Sequence, residues 1–280
     1  MAALVERMRK EPVLWVDDTA YSGLLLAAGH PPWLDAPGLV AWRGKAQRLL
    51  RSDVVPLDLS ALSRAWIASN AELRQAMIEK KRPIGPLRAL LAHEPLRRLV
   101  FDSLTGLGSN CPGQLLALKL PLPRQWLESS FQAIYGESGA YDVDDIDRAA
   151  LYIADFVRSF GECAVHALLL EETDVGQSPS ADEFELYAAV ANVAHQYRWD
   201  IGFLSNGVHS GQTISGGAVF DFVVSPDATE GVWGKCLTLD CQADIAPFGV
   251  RPAGLIYAVV PEYAQPEAVL TQLDALRKTR

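Results

Sequence analysis

The sequence predicts an α/β fold: a (β/α)8 TIM-type barrel in a single domain spanning residues 1–280. Three observations predict it. Residues 142–160 place Ile146, Ala149, Ala150, Ile153, Ala154 and Val157 at helical spacing, which gives one face to bury. The following run, AVHALLLEE, is too apolar for a strand wet on one side and reads as a strand covered on both faces. Elsewhere short apolar runs alternate with helical text, the pattern of parallel βαβ units.

In chain order, 13–17 (VLWVD) is a first strand ending on Asp17-Asp18. Tyr21–Gly29 fits either a strand or a buried helix, and His30-Pro31-Pro32 ends it. Residues 38–51 are helical, with Leu39, Trp42, Ala46, Leu49 and Leu50 on one side. Two more helices follow at about 58–80 and 84–100, the first capped by Asp58 or Ser60. This helical N-terminal portion, about 37–105, is more than a bare barrel needs and is expected to be an insertion covering one end. GLGSNCPG (106–113) is turn text, LLALKLPLP (115–123) a strand, and about 123–135 a helix. After the strand at 164–172, Ser180 and Glu183 form a capping box for a helix reaching about Arg198. Strands are then expected at about 200–206, 218–225, 235–241 and 253–261, and a final helix from Pro266 to Lys278. The connections between the last strands are short for full crossover helices, so an irregular second half is expected.

Composition narrows the function. The net charge of -9 argues against nucleic acid, which needs a basic footprint. Four scattered cysteines do not make a disulfide scaffold. No run approaches the ~18 apolar residues of a membrane span. A cytoplasmic protein acting on a small-molecule substrate, with no membrane partner, is the expectation; a homodimer or hetero-complex stays open.

In a parallel barrel, chemistry sits where strands end. Those ends carry Asp17 and Asp18, Lys119, Glu171 and Glu172, Ser205 and Asn206 with His209 beyond, Ser225 and Asp227, Asp240 and Cys241, and Glu262. Glu171 and Glu172 weigh most: adjacent strand residues face opposite ways, so one points into the mouth, where desolvation suits a carboxyl to acid/base work. Lys119 lies in an apolar strand and needs a partner, for which Glu171 is the natural choice. His209, in the loop text SNGVHSGQ, is the better functional histidine, while His166 reads as a hydrogen-bonded core residue. The expected catalytic set is Glu171, Glu172, Lys119 and His209; Asp17, Asn206, Asp221 and Asp240 are expected to hold substrate. No linear metal motif, phosphate-binding glycine loop or G-x-S-x-G elbow occurs, which leaves the cofactor unknown.

LALKLPLP, the helix 142–160 with its strand ending Glu171-Glu172, VANVAHQYRWDIGFLSNG and YAVVPEYAQPEAVLTQLDAL together resemble the cobalamin-independent methionine synthase and uroporphyrinogen decarboxylase-like barrels, over about residues 110–275. The resemblance implies a barrel whose strand-end acid contacts substrate, and one-carbon (methyl) transfer or decarboxylation as the reaction. The methyl-transferring members hold zinc through a His-x-Cys pair at the strand that here reads IGFLSNGVHSG; this chain has no His-x-Cys. The decarboxylase branch uses arginines and an aspartate around an acidic substrate; its N-terminal arginine-rich motif has no counterpart here. Two alternatives remain: a barrel that has lost chemistry and binds a ligand or partner protein through clefts near Trp33, Trp42 and Trp66, and a metal-dependent lyase or hydrolase with Asp17, Glu171, His209 and Asp240 converging.

Overall fold

Among the described residues eight short, mostly apolar segments form one parallel sheet in the order β1-β8-β7-β6-β5-β4-β3-β2. They are β1 (Pro12–Asp17), β2 (Val54–Asp58), β3 (Leu115–Pro121), β4 (Val165–Glu171), β5 (Asp200–Leu204), β6 (Phe222–Ser225), β7 (Gly234–Thr238) and β8 (Gly254–Val259). The computed structural model describes residues 4–79, 82–173, 179–205, 219–226, 234–239 and 254–278. Around the sheet lie α1 (Leu4–Lys10), α2 (Thr19–Ala27), α3 (Ala36–Leu50), α4 (Leu59–Ser69), α5 (Ala71–Ile78), α6 (Gly85–Leu91), α7 (Glu94–Asn110), α8 (Pro123–Tyr135), α9 (Val143–Arg158), α10 (Ala181–Glu185), α11 (Ala188–Gln196) and α12 (Pro266–Lys278). The chain is an α/β barrel of the TIM type. No described helix is long and apolar enough to cross a membrane.

Several boundaries move. Tyr21–Gly29 resolves as helix, ending where Ala28 and Gly29 turn left-handed. The segment VVPLD inside the helical N-terminal portion is β2, so α2 and α3 connect two barrel strands and the extra helices are among α4 to α7, between β2 and β3. The turn text GLGSN belongs to the end of α7. Ser180 caps α10, accepting from the Glu183 N–H, but the Glu183 carboxylate turns to Arg124 and Tyr187 instead of closing a capping box, and the expected single helix divides into α10 and α11.

The alternation of strand side chains separates two cores. Val13, Trp15, Leu115, Ala117, Ala167, Leu169, Phe222, Val224, Leu255 and Tyr257 fill the barrel interior. Their neighbours of opposite parity, such as Leu116, Leu118, Leu168 and Leu170, pack outward with the helices α7, α8 and α9. Gly202 in β5 makes room for the Phe222 ring, since a Cβ there would meet it at 2.2 Å. Where β3 and β4 slip register at Leu116/Ala117, His166 Nδ1 accepts the Leu116 N–H at 3.1 Å. Burial lowers the His166 pKa, as suits an acceptor ring in a structural role.

Side chains help close the barrel between β1 and β2. Leu14 N–H donates to Asp53 Oδ2 at 2.7 Å, Val16 N–H donates to Ser52 Oγ at 2.9 Å, and Asp53 N–H donates to the Leu14 carbonyl at 2.8 Å. Ser52 is buried, and its own proton has the Val54 carbonyl at 2.7 Å. Ser52→Ala leaves the Val16 N–H without that acceptor in a dry seam, and is expected to cost about 1–3 kcal/mol. Urea unfolding checks this: the midpoint falls at unchanged slope.

Candidate active site at the strand ends

Parity and register put four ionisable side chains in one layer at the C-terminal end of the barrel interior. Asp17 ends β1 two residues beyond Trp15, and Asp58 ends β2 directly beside Lys119 of β3. Glu171 ends β4 two residues beyond Leu169. Lys119 Nζ lies 2.8 Å from Asp17 Oδ2, 3.3 Å from Glu171 Oε1 and 3.7 Å from Asp58 Oδ2. Below them Tyr257 of β8, fully buried, donates its hydroxyl to Asp17 Oδ2 at 2.7 Å.

Asp17 and Lys119 carry fixed charges, and Glu171 an adjustable one. Burial pushes the Asp17 carboxyl up, but the Lys119 ammonium and hydrogen bonds from Lys119, Tyr257 and the Thr19 N–H outweigh it and hold the group at about 2. Burial disfavours the Lys119 charge, yet Asp17, Tyr257, Glu171 and Asp58 together raise its pKa well above the usual lysine value. A lysine held this way is a permanent cation and has no free amine for Schiff-base chemistry. Glu171 differs. Burial raises its pKa, Lys119 lowers it in part, and repulsion from Asp17 and Asp58 adds to the rise. Of Asp17 and Glu171, the two carboxyls hydrogen-bonded to Lys119, Glu171 is the one poised to carry a proton.

A cavity of about 500 Å³ opens over this layer. Asp17, Asp58, Lys119 and Glu171 line it together with Trp33, Arg64 of α4, Thr173 and Glu262. Its volume falls in the range of small-molecule sites, about 300–1,000 Å³. The walls are held from outside. Asp58 accepts the Ala61 N–H at 2.9 Å, so the carboxylate facing Lys119 also caps α4. Buried Gln125 of α8 accepts from both the N–H and the hydroxyl of Thr173. Trp33 meets Trp42 edge-on at 5.1 Å between centroids, while Trp42 donates to the Ser22 carbonyl. Beneath that wall Asp18 and Arg43, both buried, form a two-pronged ion pair at 2.9 and 3.1 Å.

Of the residues expected from sequence, Asp17, Lys119 and Glu171 meet at this site. Glu172, also expected to be catalytic, faces away from the mouth: it is fully buried and accepts from Ser205 Oγ at 3.0 Å. Asp221 is also displaced. It precedes β6, at the opposite end of the barrel, and its carboxylate accepts the Ile201 N–H and lies 3.1 Å from His195 Nε2, so it serves the fold and does not reach the mouth. Asn206, His209 and Asp240 lie outside the described residues. Among the described residues no group of three or more His, Cys, Asp or Glu side chains is placed to hold a metal ion. Trp66 donates to His93 Nδ1 at 3.1 Å and does not line the mouth cavity.

Asp58, Tyr257 and Arg64 were not expected at the site. A signal for Asp58 existed, because VVPLD ends on an aspartate as VLWVD does; Pro56 masks it by resembling a break. No family model matches the chain, and no curated protein matches it significantly. The geometry therefore carries the functional reading.

Proposed function

We propose that the chain is a small-molecule enzyme of the lyase type, decarboxylating an acidic substrate held in the mouth cavity. The observation that supports this most is a carboxyl with a raised pKa, Glu171, set 3.3 Å from a buried, permanently charged ammonium in a cavity of substrate size. Such a pair supplies the two things decarboxylation demands: a cation near the carbon that gains charge, and a proton to quench it. Arg64 stands on the cavity wall with no carboxylate partner among the described residues, and a guanidinium there suits a substrate carboxylate. In the proposed step the bond to the carboxylate carbon breaks, carbon dioxide leaves, and the electron pair left behind takes the Glu171 proton. Lys119 offsets the developing charge, and Asp17, with Tyr257 behind it, keeps Lys119 in place.

This reading agrees with the decarboxylase side of the resemblance drawn from the sequence. Methyl transfer draws less support, because the His-x-Cys pair that holds zinc in the methyl-transferring members does not occur in this sequence.

The test is incubation of the purified protein with a cell metabolite extract, followed by untargeted mass spectrometry. Wild type is expected to deplete an acidic metabolite and produce a compound lighter by carbon dioxide. Glu171→Gln is expected not to. Identical profiles for the two proteins, whether both turn over or neither does, contradict the proposal.

A further inference from the structure

A second cavity, of about 670 Å³, lies at the other end of the barrel, lined by residues that precede the strands. Arg7 of α1, Arg48 and Arg51 at the end of α3, and Asn110 at the end of α7 converge on it, with Asp53 just before β2. Three guanidinium groups thus share one space with a single carboxylate, in a chain whose net charge is -9.

The carboxylate is already engaged. Asp53 accepts the Leu14 N–H at 2.7 Å and lies 3.4 Å from Arg7, which also pairs with Glu11. Arg48 and Arg51 have no carboxylate within ion-pair distance among the described residues, and both are exposed. A helix C-terminus favours cations, which accounts for basic residues ending α3. It does not account for the concave wall opposite them. That wall depends on Gly44: a Cβ there would lie 2.3 Å from Asn110 Nδ2, so glycine leaves room for the amide to pack against α3. The cavity exceeds the space a bare ion needs and lies within the range of small-molecule sites.

We propose that this basic cavity binds a phosphate-type oxyanion, free or carried on a small molecule, with Arg48 and Arg51 as its principal ligands and Asn110 as an added donor. Guanidinium forks match such oxygens with paired hydrogen bonds. The site is independent of the chemistry at the mouth, one strand length away, about 15 Å.

Isothermal titration at constant ionic strength, using inorganic phosphate and phenyl phosphate as probes, tests it. Wild type is expected to bind at least one probe saturably, with a matching rise in Tm over a chloride control. The double variant Arg48→Gln/Arg51→Gln, at exposed positions and with an unchanged circular dichroism spectrum, is expected to lose at least tenfold in affinity. Gly44→Ala is expected to weaken binding by displacing Asn110. Tighter binding of phenyl phosphate would assign the site to organic phosphates, and tighter binding of inorganic phosphate to the free ion. No saturable binding of either probe, or equal affinity in the double variant, overturns the proposal.

Discussion

Glu171→Gln is expected to lower turnover by about 10²–10⁴-fold, the usual contribution of a positioned proton donor. The same substitution is expected to leave Tm at or above its wild-type value. The second half follows from the sign of the pKa shift. A carboxyl raised above 4.5 in the folded state favours the protonated native form, so its contribution is fully present below pH 4.5 and is lost as pH rises through the folded pKa. A glutamine cannot ionise and removes that loss, so the Tm difference between variant and wild type should widen from pH 4 to pH 8. Activity and stability moving in opposite directions mark a group kept for chemistry. A fall in both together would instead mark Glu171 as a structural partner of Lys119. Circular dichroism melts across that pH range, alongside the turnover assay, separate the two.

Lys119→Met is expected to produce the largest loss of stability. Removing one member of a buried ion cluster strands the others, at about 3–5 kcal/mol. With a Tm change of about 2–4 °C per kcal/mol, that is a fall of roughly 6–20 °C. Asp17 gives the loss a pH signature. Its pKa of about 2, below the unfolded 3.8, contributes stability that is present above pH 3.8 and fades as pH falls toward 2. Without Lys119 the depression shrinks, so the acid limb of the stability curve should begin at higher pH. A variant that melts within 2 °C of wild type would show that the ammonium is not the hub of the cluster.

The barrel was legible because its evidence is local. Apolar strands such as LALKLP and VHALLLEE, and the face of α9 formed by Ile146, Ala150, Ile153 and Val157, report burial directly from their spacing. β2 is hidden in the sequence because Pro56 interrupts its pattern; the strand tolerates proline because it has a full ladder only toward β3, its other side being the β1 seam built on Ser52 and Asp53. Tyr21–Gly29 was ambiguous for the opposite reason, an apolar run without strict period.

The site was legible as a set of strand ends and not as a constellation. Asp17, Lys119 and Glu171 are separated by 102 and 52 residues, and only ladder register and barrel closure bring them together. The choice between Glu171 and Glu172 required knowing which parity of β4 faces inward, a property of the assembled sheet. Asp58 read as a helix cap, and it is one; its second role facing Lys119 follows from the β2–β3 pairing. Tyr257 sits in apolar text and carries no outward sign that its hydroxyl meets a carboxylate. Asp221 stands inside apolar text, and only the assembled sheet shows that it precedes β6 at the end opposite the mouth.

The most direct measurement is a carboxyl-carbon NMR titration of protein labelled at aspartate and glutamate side chains, with Glu171→Gln and Asp17→Asn for assignment. Glu171 should titrate above the ordinary glutamate value and Asp17 near 2, so that one carboxyl beside Lys119 carries a proton while its neighbour stays charged. Glu171 titrating at or below 4.5 would contradict a proton donor at the barrel mouth.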